Sequence, residues 1–199
     1  MTVLGADYIH IDVMDGRFVP NITIGPLVVR AIRPLTSVPL DVHLMIVEPE
    51  RYIPEFIDAG ADMISFHVEA TPHAQRALQM IKKARVKAAV ALTPSTPLGA
   101  VEHLLPDLDM IVLMTVNPGF GGQSFIPQMV DKIEALREML IRHQADHIDI
   151  EVDGGISTST VEKAVEAGAN VLVAGSSVFG QKDRKQAMES LRMAGQVVN

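Results

Sequence analysis

The sequence predicts an α/β protein, a TIM (β/α)8-type barrel with seven of its eight strands present in the 199-residue chain. Three observations carry this reading. Strand-like runs alternate with amphipathic helix-like runs along the whole chain, the pattern that builds a parallel sheet covered by helices. At least four of the strand-like runs end in residues able to hold a metal or move a proton, as strands of barrel enzymes do. No glycine-rich dinucleotide fingerprint follows the first strand, which weighs against the alternative, a doubly wound open sheet.

The first strand-like run, residues 8–13, carries His10 and Asp12 with Met14 just beyond. Side chains two apart on a strand share a face, so these three point the same way. A helical run at 26–35 opens on Pro26, where a missing N–H does no harm. The second strand, 40–45, repeats the pattern with Asp41, His43 and Met45. Pro49 opens a helical run at 49–59, and a third strand at 63–68 leads into His67 and Glu69. A helical run at 72–84, a strand at 87–92, a helical run at 97–105 and a strand at 110–116 follow. The glycine-rich turn Asn117-Pro118-Gly119-Phe120-Gly121-Gly122-Gln123 then precedes a long helical run at 126–143. The sixth strand, 148–152, ends in Asp153-Gly154-Gly155 and is followed by a helical run at 159–167. The seventh, 171–174, ends in Gly175-Ser176-Ser177 and a possible short helix, and a last helix starts near Arg184.

Gly5-Ala6-Asp7, Gly60-Ala61-Asp62 and Gly168-Ala169-Asn170 each stand immediately before a strand. Glycine is favoured just past a helix end, where the backbone turns left-handed. The first copy has only four residues in front of it, so residues 1–4 read as the tail of a helix. The expectation is one domain over 1–199, a barrel lacking its first βα unit, with no linker inside it.

Composition narrows the function. The chain is 48% hydrophobic with a net charge of −7, so nothing favours nucleic acid or an anionic membrane surface. It has no cysteine, which excludes disulfides and thiolate metal sites. No apolar run is long enough to span a bilayer, and the start lacks the features of a signal peptide. The expected location is the cytoplasm and the expected assembly a homo-oligomer.

Charged and imidazole groups on otherwise buried strands are costly unless paired, hydrogen-bonded or metal-bound. A lone strand histidine is usually a hydrogen-bonded core residue, but His10 and His43 each share a face with a second candidate group. Asp41, His67 and Glu69 read as groups that support such a site, whereas His73, His103, His143 and His147 read as surface residues. Glycine turns after three successive strands suit a shared anion site built from backbone N–H groups, because no lysine or arginine lies in them.

Taken together, the segments His10-Ile11-Asp12-Val13-Met14-Asp15-Gly16-Arg17-Phe18-Val19-Pro20-Asn21 and Asp41-Val42-His43-Leu44-Met45, residues 115–123, Val152-Asp153-Gly154-Gly155 and Gly175-Ser176 closely resemble the ribulose-phosphate 3-epimerase family over essentially the whole chain. The resemblance implies an isomerase of the pentose phosphate pathway and Calvin cycle that interconverts D-ribulose 5-phosphate and D-xylulose 5-phosphate. It implies one divalent metal on His10, Asp12, His43 and Asp153, with Asp12 and Asp153 exchanging protons with the substrate. It places Gly119, Phe120, Gly121, Gly122, Gly154, Gly155, Gly175 and Ser176 around the phosphate, His43 beside the substrate, and Met14, Met45 and Met114 around the reaction centre. The family's opening strand, with a serine that contacts substrate, and the helix after it are absent from this sequence. A glycine that the family usually has near Lys83-Ala84-Arg85-Val86 is also absent, at about 1 kcal/mol if the left-handed backbone persists.

The chemistry suits those residues. Inverting a carbon beside a ketone needs a proton removed from one face and another returned to the opposite face. Two carboxylates on separate strands can do this, through an enediolate that a cation stabilises. Two histidines with two carboxylates suit Fe²⁺ or Zn²⁺, with Mn²⁺ or Co²⁺ as alternatives, rather than Ca²⁺ or Mg²⁺. The rival readings are an epimerase for a hexulose phosphate such as allulose 6-phosphate, and a truncated, non-catalytic binder of phosphate ligands. A related aldol or decarboxylase barrel would want a lysine on strand 40–45, where there is none.

Overall fold

The computed structural model describes residues 4–196, so residues 1–3 of the expected helix tail lie outside the described residues. The strands are β1 (Ile9–Met14), β2 (Leu40–Met45), β3 (Met63–His67), β4 (Lys87–Leu92), β5 (Met110–Met114), β6 (Asp149–Asp153) and β7 (Val171–Val173). They form a single parallel sheet in sequence order. The helices are α1 (Pro26–Ile32), α2 (Ile53–Ala59), α3 (Ala74–Lys83), α4 (Met129–Arg142), α5 (Val161–Glu166), α6 (Ser176–Phe179) and α7 (Arg184–Ala194). The sheet curls into a TIM-type barrel that stays open between β1 and β7. Both of those strands line one cavity of 690 Å³, together with Phe179 and Leu191 from the helical layer.

Alternation along the strands produces two buried layers. Ile11, Val13, Val42, Leu44, Ile64, Phe66, Val90, Leu92, Ile111, Leu113, Ile150 and Val152 face outward and pack on helix residues such as Phe56, Leu78, Ile133 and Leu136. Met63, Ala89, Ala91, Met110, Val112 and Met114 face inward with Val116. Strands covered on both sides read as near-continuous apolar runs, as parallel strands do. Each fully buried leucine- or valine-sized side chain contributes about 1.5–3 kcal/mol relative to exposure, and these layers offset the burial of the polar residues inside β1, β2 and β6.

The three-residue repeat is a structural device. Gly5, Gly60 and Gly168 all adopt positive φ (88°, 99° and 113°). Each carbonyl accepts from an arginine: Gly60 from Arg33, Gly168 from Arg137 and Gly5 from Arg192. The third repeat position then holds the start of the preceding strand. Asp62 Oδ2 accepts from the Leu40 N–H at 2.8 Å, and Asn170 Oδ1 accepts from the Ile150 N–H at 2.7 Å. Asp109, outside the repeat, does the same for Ala88 at 2.8 Å. Arg33 follows β1 and reaches the turn before β3; Arg137 follows β5 and reaches the turn before β7. Arg192 follows β7 and reaches the turn before β1. The same two-step spacing holds there if one strand position separates β7 from β1, as an eight-position barrel requires.

Several element boundaries differ from the sequence pattern, and prolines explain most of them. The run expected at 26–35 stays α-helical only to Ile32, because Pro34 cannot donate, and it finishes as a 3-10 turn, Arg33–Leu35. The run at 49–59 divides into a 3-10 turn, Pro49–Arg51, and α2, with Pro54 in the first turn of α2. The run at 97–105 is not α-helical; it forms two 3-10 segments, Leu98–Ala100 and Glu102–Asp107, with Gly99 in one and Pro106 in the other. Strand β6 ends one residue later than its apolar pattern suggests, which brings Asp153 into the sheet. Arg85 stands at φ 61°, so the left-handed turn persists with a non-glycine residue at about 1 kcal/mol.

Arg33 also donates to the carbonyls of Thr36 and Val38 and pairs with Asp62 at 2.5 Å. Arg33→Ala should therefore destabilise the protein by about 1–2 kcal/mol, most of it from unsatisfied carbonyls rather than the half-exposed ion pair. Urea denaturation at neutral pH measures this, and an unchanged midpoint would contradict the latch.

Candidate functional site

In-register pairing of β1 with β2 sets the site. His10 lies opposite Asp41, Asp12 opposite His43, and Met14 opposite Met45. On the other side of the barrel Met114 lies opposite Asp153. All these side chains are on the inner face. His10 Nε2 and His43 Nδ1 each stand 3.2 Å from Asp12 Oδ1, and His43 Nδ1 is 3.8 Å from Asp153 Oδ2. One ligand atom from each of His10, Asp12, His43 and Asp153 falls within 4.8 Å of the other three. A tetrahedral ion with bonds of about 2.1 Å would set its ligands roughly 3.4 Å apart, so two imidazoles and two carboxylates at these separations fit a divalent cation.

The outer nitrogen of each histidine is engaged. His10 Nδ1 donates to Asp41 Oδ2 at 2.6 Å, and Glu151 Oε1 approaches the same nitrogen at 3.5 Å without a hydrogen-bonding geometry. His10, Asp41 and Glu151 form a second cluster of possible ligands, but the short Asp41 bond occupies Nδ1 with a proton. His43 Nε2 meets His67 Nε2 at 3.0 Å, and His67 Nδ1 meets Glu69 Oε2 at 3.3 Å. Asp41, His43, His67 and Glu151 are all essentially inaccessible to solvent.

Burial and neighbouring charge separate the carboxylates. Burial alone would raise the Asp12 pKa, but hydrogen bonds from His10 and His43 outweigh it and hold the carboxyl well below the usual carboxylate range. Burial raises Asp153, and the negative charge of Asp12 raises it further. Burial and Asp41 also push Glu151 well up. Burial opposes the charge on His10, yet Asp41 and Glu151 more than compensate and raise it. Burial pulls His67 down to about 4. For Glu69 burial works the other way, and the hydrogen bonds from His67, Thr96 and Thr93 overcome it and bring that carboxyl to about 2.

Above the acid and imidazole groups lies a small cavity of 110 Å³. Asp12, Asp153, Met14, Met45 and Met114 form its floor and walls, and Gly119, Phe120, Gly121, Gly122, Gly154, Gly155, Gly175 and Ser176 line the rest. Every residue expected around the phosphate thus borders one space, while His43 is buried behind it. The turn is braced: Asn21 donates to the Gly119 carbonyl, Gln123 to those of Asn117 and Phe120, and the Thr115 hydroxyl to that of Gly154. Gly155 has φ 67°, and a Cβ there would stand 2.4 Å from the Phe125 backbone nitrogen, so only glycine fits. No lysine or arginine lines the cavity. His73, His103, His143 and His147 are exposed, as their helix and loop positions suggest.

Two functional contacts have no counterpart among the expected site residues. Glu151 sits beneath His10, and the alternation that places Asp153 inward places Glu151 inward too. The direct contact between His43 and His67 is the other. It is a diagonal pair across β2 and β3, which sequence spacing does not reveal.

Comparison with known proteins gives the following. A family model described as the Ribulose-phosphate 3 epimerase family matches residues 1–179. The ribulose-phosphate 3-epimerase of Bacillus subtilis (strain 168) is 58% identical over 188 residues, covering 94% of this chain and 87% of that protein. The chloroplastic ribulose-5-phosphate-3-epimerase of Arabidopsis thaliana is 56% identical, with 94% and 67% covered. Among solved structures, the 3-hexulose-6-phosphate synthase of Salmonella typhimurium superimposes with a TM-score of 0.68 at 16% identity, covering 96% of this chain and 98% of that one. That likeness shows the shared barrel fold. No helix of the described residues is long and apolar enough to cross a membrane.

The buried His67 gives a pH dependence of stability. Its folded pKa of about 4 lies below the unfolded value of 6.5, so the folded state resists protonation. Its contribution is constant above 6.5 and is lost as the pH falls toward 4. Melting the metal-free protein across that window, alongside a His67→Phe variant, separates this effect from that of the carboxylates. The wild type should lose stability on acidification relative to the variant, and parallel curves would contradict a neutral buried imidazole.

Proposed function

This chain belongs to the ribulose-phosphate 3-epimerase family, and from that membership we propose that it is an isomerase interconverting D-ribulose 5-phosphate and D-xylulose 5-phosphate. The observation that carries the proposal is the meeting of Asp12, from β1, and Asp153, from β6, beside a cavity of 110 Å³. Their surroundings push the two carboxyls in opposite directions, Asp12 downward through the hydrogen bonds from His10 and His43 and Asp153 upward through burial. An acid and a base placed on opposite faces are what inversion through a planar intermediate requires, and two carboxyls in different surroundings can fill both roles.

In this reading one aspartate takes the proton from the carbon beside the ketone, and the other returns a proton to the opposite face. His10, Asp12, His43 and Asp153 would hold a divalent cation, Fe²⁺ or Zn²⁺ by preference and Mn²⁺ or Co²⁺ as alternatives. When bound, that cation supplies positive charge against the negative charge gathering on the substrate oxygens, worth several kcal/mol. Met14, Met45 and Met114 exclude water without competing for protons. Backbone N–H groups of the three glycine turns that line the cavity receive the phosphate. The activity would place the chain in the pentose phosphate pathway and the Calvin cycle. A hexulose phosphate such as allulose 6-phosphate is the competing substrate, and relative turnover on the two substrates separates the readings.

Asp12→Asn and Asp153→Asn should each slow exchange of the substrate's C3 hydrogen into D₂O by about 10²–10⁴-fold, measured by NMR. Chelation should abolish turnover, and Fe²⁺ or Zn²⁺ should restore it. Full activity in either single variant would refute the two-base scheme, and turnover indifferent to chelation would refute the metal.

A further inference from the structure

The hydrogen bonds that begin at His43 continue well beyond the site. His43 Nε2 faces His67 Nε2 at 3.0 Å, and His67 Nδ1 faces Glu69 Oε2 at 3.3 Å. The other oxygen of Glu69 accepts from the Thr93 N–H at 2.9 Å and from the Thr96 hydroxyl. Lys132, on α4, clamps the same loop by donating to the carbonyls of Thr93, Pro94 and Thr96 at 2.9, 3.1 and 2.6 Å. Glu69 is therefore fixed by a loop that is itself fixed, and its second oxygen is aimed at His67.

This chain has a direction. An ionised carboxylate has no hydrogen to give, so the hydrogen between Glu69 and His67 belongs to His67 Nδ1. A neutral imidazole protonated at Nδ1 has a bare Nε2, so the hydrogen between the two rings belongs to His43 Nε2. His43 Nδ1 is then the nitrogen left to hold a cation, and it is the nitrogen that faces Asp12 and Asp153. His10 presents the opposite nitrogen, Nε2, because Asp41 engages its Nδ1. Each histidine is thus given one inward nitrogen by an outer acceptor. For His43 that acceptor is another imidazole, and the carboxylate stands one residue further away.

We propose that His67 and Glu69 are positioning residues for the metal: together they keep a hydrogen on His43 Nε2 and leave Nδ1 as the ligand. The proposal rests on the metal reading above. Glu69→Gln is the discriminating variant. Its amide oxygen can still accept from Thr93 and Thr96, but its NH₂ can donate to His67 Nδ1, which permits the reverse arrangement of hydrogens and places one on His43 Nδ1.

The measurement is Zn²⁺ affinity of the full chain by competition with a chelating dye, joined to ¹⁵N-histidine NMR of the Zn²⁺-loaded protein. Glu69→Gln should weaken Zn²⁺ by about 10- to 100-fold, the range usual for loss of a ligand's outer partner. His67→Phe, which keeps a ring but no acceptor, should do the same. His67→Gln, whose amide oxygen can accept from His43, should recover part of the loss. In the loaded wild type the NMR should find His67 protonated at Nδ1 and bare at Nε2. A wild type that does not bind Zn²⁺ overturns the metal reading and this proposal with it. A wild type that binds, with Glu69→Gln within twofold of it, overturns the positioning role alone, as does a wild-type His67 protonated at Nε2.

Discussion

The in-register parallel pairing of β1 with β2 is the constraint on which the site depends. It sets Asp12 opposite His43 and His10 opposite Asp41 on the inner face. A slip of one residue would turn His43 and Asp41 outward into the layer occupied by Phe56 and Leu78 and would bring Val42 and Leu44 inward. The cost of exposing that outer layer and of burying unpaired charge opposes any such slip. The apolar side chains of β2 that never touch the site therefore hold the imidazole in place. Asp62 fixes the start of the same strand through the Leu40 N–H.

The barrel interior divides by chemistry. Strands β1, β2 and β6 carry His10, Asp12, Asp41, His43, Glu151 and Asp153 inward, whereas β4 and β5 carry Ala89, Ala91, Met110, Val112 and Met114. Methionine and alanine make the wall across from the charged groups apolar without filling the space a substrate needs. Strand β3 is the border, with Met63, Ser65 and His67 alternating inward. Small Ser65 lies directly opposite His43, which leaves the diagonal open for the His67 ring at a centroid distance of 5.0 Å.

Much of this was legible in the sequence because period-two alternation is a local property. His10, Asp12 and Met14 on one strand, and Asp41, His43 and Met45 on the next, declare a shared face without reference to the rest of the fold. Their family resemblance then joined them to Asp153 and the glycine turns. The repeat before β1, β3 and β7 marked the helix-to-strand turns, and the structure shows positive φ at all three glycines. What the sequence did not disclose depends on pairs distant along the chain or on small backbone differences. The arginine latches join residues 27, 31 and 187 apart, and the His43–His67 contact joins residues 24 apart. The 3-10 segments near Pro34, Pro49 and Pro106 share their apolar spacing with helices closely enough that only hydrogen bonding separates them.

The fold by itself leaves the chemistry open. The same barrel superimposes on a 3-hexulose-6-phosphate synthase at 16% identity, so architecture alone does not distinguish a member of the epimerase family from a synthase. The inward positions of β2 carry more of that distinction. Asp41, His43 and Met45 include no lysine, and the two polar members both belong to hydrogen-bond systems that hold imidazoles. Placing a lysine at His43 would leave His67 Nε2 without its imidazole partner and put a second kind of cationic group beside His10 and Asp12. A change at His43 on this scaffold therefore involves its outer partner His67 on β3 as well. That coupling follows from burial, because leaving the partner of a fully enclosed polar group unsatisfied costs about 1–3 kcal/mol.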